Sequence, residues 1–127
     1  MDYVALVIIL AILEYFFFMA MVGKAREQYS VKAPATSGDE MFERFYRVHQ
    51  NTLEQLVMFI PGIYFFGLYV HALTAAGLGL LFIIGRFVYY RAYISDPASR
   101  GIGMMIGFLA IVVLVLGALV GIVIELV

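Results

Sequence analysis

Four long apolar stretches constrain this chain more than any other feature of its sequence. Each is about as long as the roughly 20 apolar residues that a helix needs to cross a bilayer. The chain is 65% hydrophobic and 13% charged, which leaves too little polar surface for a soluble domain of 127 residues. We therefore expect an all-α integral membrane protein, one domain over 1–127 that folds as a four-helix bundle. The stretches lie near residues 3–23, 48–70, 73–94 and 102–126.

Helix-ending signals flank these stretches. Ser37 followed by Glu40 resembles a capping box that opens the second helix. Pro61 lies within that helix and should kink it, while Pro97 suits the first position of the fourth helix, with Asp96 as its cap. The fourth helix also carries glycines spaced four apart, which either let helices approach closely or simply reflect how common glycine is in membranes. The predicted helices cover about residues 2–29, 39–70, 73–95 and 97–126.

The basic residues indicate how the bundle is oriented. All eight Lys and Arg lie in or beside the first and third connections, and the connection around His71 and both termini have none. The positive-inside rule makes those two connections cytoplasmic and both termini non-cytoplasmic, as an even number of spans requires. Lys24 and Arg26 follow the first span, so we expect no cleaved signal peptide. The net charge of −1 says little about partners, and no nucleic acid is expected among them.

The second helix carries a polar stripe into the membrane. Arg44, Arg47, Asn51 and Glu54 fall at i, i+3, i+7 and i+10, so one helix face holds all four. Ionisable groups at membrane depth are costly and normally face a bundle interior or a polar ligand, which makes this stripe a functional hypothesis. The alternative for Arg47, Asn51 and Glu54 is an internal ion pair. For Arg44 taken singly, we favour snorkelling to lipid headgroups.

The third helix repeats this logic with a guanidinium group and phenols. The residues at i, i+3, i+4 and i+7 are Arg86, Tyr89, Tyr90 and Tyr93. Arg26 and Arg100 stand near the ends of the first and fourth helices. Several guanidinium groups with one carboxylate suit a small zwitterion of net negative charge, because guanidinium binds carboxylates bidentately. The alternative is that these are ordinary interfacial tyrosines and snorkelling arginines.

Two further observations limit the chemistry. The chain has no cysteine, so it has no disulfide, thiolate metal site or protein thiol nucleophile, and any sulfur chemistry must come from a substrate. His49 is a poor metal candidate because no carboxylate stands at ligand spacing, and no metal is expected.

Glu14 lies about 18 Å along the helix from Arg26, near mid-membrane. It fits either a proton-coupled small multidrug exporter or, as we favour, a structural hydrogen bond with Arg86 as the expected partner.

Two segments of the chain resemble a known family. RVHQNTLE (Arg47–Glu54) and GRFVYYRAYISDPASRG (Gly85–Gly101) are similar to motifs of the MAPEG family, the membrane-associated proteins of eicosanoid and glutathione metabolism. The resemblance is strongest to the branch with microsomal glutathione transferases 2 and 3 and leukotriene C synthase. It implies a homotrimer of four-helix subunits that binds glutathione between neighbouring subunits, near the cytoplasmic face. The membrane would be a bacterial inner membrane or a eukaryotic endomembrane.

The resemblance also implies roles for individual residues. Arg100 would lie beside the glutathione sulfur and stabilise the thiolate, with Tyr93 as a weaker second donor. Gln55 and Glu27 depart from leukotriene C synthase, which has a tyrosine and an arginine there, so a leukotriene-specific pocket is less strongly implied than glutathione binding. The positions that would bind glutathione are Arg47, Asn51, Glu54, Arg86, Tyr89 and Tyr93 of one subunit with Arg26 and His49 of the adjacent one.

The implied activity is that of a membrane glutathione transferase. Glutathione would be the co-substrate, and a hydrophobic electrophile or a lipid hydroperoxide would reach it from the membrane lipids through a cleft between the first and fourth helices. Attack on carbon would give a thioether, and attack on peroxide oxygen would give peroxidase activity. The main alternative is a non-catalytic member that binds lipid and presents it to an enzyme, as the lipoxygenase-activating protein does.

Overall fold

Four α-helices account for nearly the whole chain in a computed structural model that describes all 127 residues. Each helix is long and apolar enough to cross a membrane, and the structure contains no strand, so the predicted four-helix membrane bundle is confirmed. A 3-10 turn, Pro97–Ser99, precedes the last helix. The helices are α1 (Asp2–Gln28), α2 (Glu40–Tyr69), α3 (Ala72–Ser95) and α4 (Gly101–Leu126).

The helix pair α2–α3 forms the centre of the bundle. α1 packs against both members of this pair, and so does α4, but α1 and α4 share no packed interface with each other. Phe59 of α2 stacks on Phe82 of α3 with ring centroids 4.0 Å apart, and both rings are fully buried. A single subunit therefore forms no cleft between α1 and α4, because the central pair separates these helices. A cleft between α1 of one subunit and α4 of a neighbouring subunit stays a prediction.

The outer surface of the bundle is as apolar as its core. Val57, Ile84, Ile102 and Leu116 are all more than half exposed, and apolar side chains cover each helix on the side away from the core. Such a surface is compatible with lipid or with other membrane helices as the surrounding medium.

The α2 helix begins at a different cap from the one predicted. Asp39 is the N-cap, and its carboxylate accepts a hydrogen bond of 2.9 Å from the backbone N–H of Phe42. Glu40 pairs instead with Arg44, at 3.0 Å. The Ser37–Glu40 capping box is therefore wrong. The Phe42 ring, fully buried against Val22 and its neighbours, fixes where α2 begins.

The α3–α4 connection is short and internally hydrogen-bonded. Asp96 accepts a hydrogen bond of 3.2 Å from the N–H of Ala98, so it caps the 3-10 turn and not α4 itself. Pro97 is the first residue of that turn, and α-helical structure resumes at Gly101. The Ser99 hydroxyl donates to the Asp96 carbonyl oxygen at 2.8 Å. These bonds hold Arg100, at the start of α4, in one place relative to the end of α3.

Glycines bring α4 into close contact with its neighbours. A Cβ on Gly85 would lie 2.8 Å from the backbone nitrogen of Gly107, and one on Gly103 would lie 2.7 Å from the Cα of Tyr89. A Cβ on Gly121 would lie 2.7 Å from the carbonyl oxygen of Tyr69. These glycines serve close helix approach, one of the two interpretations that their spacing allows.

Candidate functional site

Two phenol rings between two guanidinium groups form a column along α3 and into α4. The Arg86 guanidinium carbon lies 4.3 Å from the centroid of the Tyr89 ring. The Tyr89 and Tyr93 rings are 5.5 Å apart, and the Arg100 guanidinium carbon lies 6.0 Å from the Tyr93 centroid. Helical spacing puts the first three on one face, and the α3–α4 turn returns Arg100 to its end. The structure thus brings together four of the predicted site residues.

The two ends of this column have different surroundings. Arg86 is 1% exposed and lies inside the bundle, whereas Arg100 is exposed. The Arg86 Nη2 atom donates a hydrogen bond of 2.8 Å to the Thr52 hydroxyl oxygen, and the Thr52 hydroxyl donates one of 2.7 Å to the Val48 carbonyl oxygen. Arg86 therefore belongs to the interior of one subunit, while Arg100 faces its surface.

Thr52 was not identified from the sequence as a site residue. It follows Asn51 in the α2 stripe but points towards α3, and it is completely buried. The available signal was its position one residue beyond the stripe, inside an apolar span that has few hydroxyl groups. A buried hydroxyl in such a span needs a partner, and here that partner is Arg86.

The predicted stripe on α2 divides into exposed and buried members. Arg47 and Glu54 are exposed, whereas Asn51 is 8% exposed and its side-chain oxygen has no hydrogen-bond partner. Arg44 donates a hydrogen bond of 2.9 Å to the carbonyl oxygen of Ile94, near the end of α3. The snorkelling interpretation of Arg44 is therefore wrong, because its guanidinium group ties α2 to the end of α3.

A polar groove of about 380 Å³ lies between the start of α2 and the end of α3. Arg47 and Tyr93 both line it, so the structure brings one residue from each predicted stripe to the same opening. Arg44 adds a second guanidinium group, and Glu40 and Glu43 add carboxylates at the rim. This groove offers both signs of charge, as a zwitterionic ligand requires.

Arg26 and His49 lie apart from this groove. Arg26 donates a hydrogen bond of 2.7 Å to the Ala35 carbonyl oxygen, and its guanidinium carbon is 4.9 Å from the Phe42 ring centroid. The His49 ring stacks on Tyr15 at 5.0 Å, and neither ring nitrogen has a partner. A single subunit does not bring these two residues to Arg47 and Tyr93, and their contribution to a neighbouring subunit stays a prediction.

Glu14 points towards the interior of the bundle without forming the bond predicted for it. One of its carboxylate oxygens is buried and has no hydrogen-bond partner, and no ion pair joins it to Arg86. The predicted hydrogen bond between Glu14 and Arg86 is therefore absent. Arg86 makes its side-chain hydrogen bond to Thr52 instead.

An apolar groove of about 510 Å³ continues the same side of α2 beyond Glu54. Met58 and Phe65 of α2 line it at i+4 and i+11 from Glu54, opposite Ile111 and Val115 of α4. At Gly62 the missing side chain leaves room for Val115, whose nearest methyl carbon would be 3.0 Å from a Cβ there. One face of α2 thus runs from charged groups into a groove that is almost wholly apolar.

Comparison with known proteins agrees with this architecture. The profile of the MAPEG family matches residues 4–120, nearly the whole chain. The chain belongs to the MAPEG family. An uncharacterized protein of Synechocystis is 42% identical over 118 residues, which are 93% of this chain and 86% of that protein. The resemblance to MAPEG proteins that two motifs suggested is therefore confirmed over a much longer part of the sequence.

The similar proteins that carry functional names include proteins of two kinds. Microsomal glutathione S-transferase 2 of Homo sapiens is 38% identical over 117 residues, covering 91% of this chain and 79% of that protein. Leukotriene C4 synthase of Bos taurus is 31% identical over 96 residues, covering 76% of this chain and 64% of that protein. The chain is therefore more similar to the transferase, and over a larger share of both sequences.

Proposed function

We propose that this MAPEG protein is a membrane glutathione transferase. One observation carries the proposal: Arg47 and Tyr93 line a single polar groove, and the Arg100 guanidinium carbon lies 6.0 Å from the centroid of the Tyr93 ring. The similarity to microsomal glutathione S-transferase 2 supports glutathione as the molecule that this groove accepts.

The charges of the groove match those of glutathione. The tripeptide carries two carboxylates, one ammonium group and a thiol. Arg47 would bind a carboxylate bidentately, and the exposed Glu54 carboxylate, two helical turns beyond Arg47 and outside the groove lining, would accept hydrogen bonds from the ammonium group. The Asn51 amide lies between them on α2 and would become a ligand contact only where the neighbouring subunit and the ligand expose it.

Arg100 would activate the sulfur. A free thiol has a pKa of about 8.5, and a nearby guanidinium group lowers it so that the nucleophilic thiolate is populated at neutral pH. Arg100 is exposed and its Nη1 donates only to the Pro97 carbonyl oxygen, at 2.7 Å, so other donors remain free. Tyr93 would supply a second donor. In conjugation, the thiolate sulfur bonds to an electrophilic carbon, and the leaving group departs with the electrons of the bond that breaks.

The same thiolate could reduce a lipid hydroperoxide. Its sulfur would attack the outer peroxide oxygen, the O–O bond would break, and the alkoxide would take a proton and leave as an alcohol. The resulting glutathione sulfenic acid would react with a second glutathione to give the disulfide and water. Peroxidase activity is therefore a second reaction of one site and requires no further residue.

The apolar groove between α2 and α4 would hold the lipophilic substrate. Its first lining residue on α2 is Met58, one helical turn beyond Glu54 and on the same side of α2 as Arg47, and almost all of its lining is hydrophobic. A substrate dissolved in the bilayer would enter it from the side and reach the sulfur at its polar end. The helices that surround this substrate would be α2 and α4 of one subunit, with α1 supplied by a neighbouring subunit.

The site as proposed is completed by a homotrimer. Arg47 and Glu54 are exposed on a membrane-spanning helix, where charged groups facing lipid are costly. A neighbouring subunit would cover them and would contribute Arg26 and His49. With both termini on the non-cytoplasmic side, the groove lies near the cytoplasmic face, where glutathione would enter it.

Binding of glutathione to the purified protein tests the proposal directly. We expect calorimetry in detergent to detect binding of glutathione, and we expect the protein to conjugate it to a chloronitrobenzene electrophile. A glutathione analogue with serine in place of cysteine should bind but give no product, because only the sulfur reacts. Absence of binding would favour a non-catalytic lipid-binding member, whereas drug resistance that depends on Glu14 would favour an exporter.

Mixed trimers test the contribution of the neighbouring subunit. Subunits with Arg26→Ala and subunits with Arg47→Ala should each form inactive trimers. When the two are co-expressed in equal amounts, one site in about four should combine an intact Arg26 with an intact Arg47 from adjacent subunits. We therefore expect about a quarter of the wild-type activity. No recovery, with mixed trimers verified by two affinity tags, would place both residues in one subunit's site.

A further inference from the structure

We propose that Thr52 and Arg86 form a buried clamp that positions the sulfur-activating end of the site without touching glutathione. The clamp is the hydrogen bond of 2.8 Å between the Arg86 Nη2 atom and the Thr52 hydroxyl oxygen. This inference depends on the proposed function, since it assigns a positioning role to residues behind the glutathione site.

Burial separates the clamp from any ligand in the groove. Thr52 is completely buried and Arg86 is 1% exposed, and neither lines the polar groove. A ligand in that groove meets Arg47 and Tyr93 first. Arg86, expected from its sequence position to bind glutathione, is therefore assigned a different role.

The Thr52 hydroxyl donates one hydrogen bond and accepts another. Its hydroxyl donates to the Val48 carbonyl oxygen at 2.7 Å, one helical turn back along α2. That bond uses the only hydroxyl proton and leaves the oxygen lone pairs to accept from Arg86. The hydroxyl is thus fixed by the α2 backbone, and it holds one arm of the Arg86 guanidinium group in place.

The held guanidinium group in turn supports the aromatic column. Arg86 lies 4.3 Å from the Tyr89 centroid, close enough for a cation–π contact that is stronger when shielded from water. Tyr89 is itself buried and lies 5.5 Å from Tyr93, whose ring faces Arg100. Movement of Arg86 would therefore be passed through two rings to the guanidinium group that is proposed to stabilise the thiolate.

Substitution of Thr52 can remove the hydrogen bond to Arg86 while changing the packing of the side chain very little. Thr52→Val keeps the shape of the side chain but removes the acceptor, which leaves a buried guanidinium arm without a partner. Thr52→Ser keeps the hydroxyl and loses only a methyl group. The two variants therefore differ in the hydrogen bond, which is the feature that the proposal requires.

The experiment measures turnover and the ultraviolet absorbance of bound thiolate in full-length wild-type, Thr52→Val and Thr52→Ser proteins. We expect Thr52→Val to lower kcat about tenfold and to reduce the thiolate signal, because small misplacements of catalytic groups have effects of this size. The KM for glutathione should change less than about twofold, since no ligand contact is lost. Thr52→Ser should restore kcat and the thiolate signal towards wild-type values.

Other outcomes would overturn the clamp. Equal kcat in Thr52→Val and wild type would remove the positioning role, and a raised KM with unchanged kcat would make this pair a ligand-binding element. If Thr52→Val does not fold, Arg86→Lys replaces it: the charge stays, the planar contact with Tyr89 is lost, and the same fall in kcat at unchanged KM is expected. Wild-type protein that binds no glutathione would overturn the proposed function and the clamp with it.

Discussion

Replacing Arg100 by alanine is expected to lower the conjugation rate by about a hundredfold, the usual effect of removing one donor that stabilises a developing or bound anion. Arg100 is the exposed arginine next to Tyr93, and no other arginine makes a cation–π contact with that ring. Without it, the thiol of bound glutathione would keep a pKa nearer to its free value of about 8.5. Most of the bound glutathione would then be protonated at neutral pH.

The pH dependence of Arg100→Ala separates loss of thiolate from loss of binding. If the arginine acts by lowering the thiol pKa, the variant should regain part of its rate as pH rises through about 8.5, whereas the wild-type rate should already be level there. The KM for glutathione should rise much less than kcat falls, because Arg47 and Glu54 would still bind the tripeptide.

Arg91 offers a matched control for this substitution. Arg91 lies in the last part of α3, close in sequence to the turn that leads to Arg100. It is exposed and stands outside the column of rings, so Arg91→Ala removes an identical charge from the same membrane face. We expect Arg91→Ala to retain the wild-type rate. Equal loss of rate in both variants would mean that general positive charge at this face matters, and that Arg100 has no specific role at the sulfur.

Periodicity in the sequence predicted the helices well and the direction of side chains less well. The apolar stretches and their charged connections were enough to predict four membrane helices. The i, i+3, i+7 spacing also placed Arg86, Tyr89 and Tyr93 on one face of α3. Such a face is broad, however, so residues that share it can meet different neighbours. Arg86 turns inward and bonds to Thr52, whereas Tyr93 lines the polar groove. Which neighbour each residue meets depends on how the helices pack.

Two features of the bundle could not be predicted from local sequence signals. Ser37 and Asp39 are both good N-cap residues, and local preference could not choose between them; the burial of Phe42 in the bundle decides for Asp39. The apolar periodicity of the helices likewise does not reveal their order around the bundle, so it could not show that α1 and α4 of one subunit are kept apart by α2 and α3. Local signals narrowed the candidates for the N-cap and for the helix arrangement, and tertiary packing determined which of them the protein adopts.

Among the glycines of α4, the substitution Gly103→Ala is expected to destabilise the fold most. A Cβ on Gly103 would meet the Tyr89 backbone nitrogen and lie 2.7 Å from its Cα. Backbone cannot rotate away as a side chain can, so α4 must shift away from α3. Overpacking of this kind costs about 2 kcal/mol, and here it would also displace Tyr89 from the column that ends at Arg100. Both thermal stability and turnover should therefore fall.

Gly101→Ala is the control that makes this result interpretable. Gly101 lies two residues earlier on the same helix, and a Cβ there would meet nothing within 4 Å. Because Gly101 is the first residue of α4 and a methyl group there would meet no other atom, Gly101→Ala should leave the Tm in detergent unchanged or raise it slightly. A Tm for Gly103→Ala equal to that of Gly101→Ala would show that α3 and α4 are not in the contact on which the position of Arg100 depends.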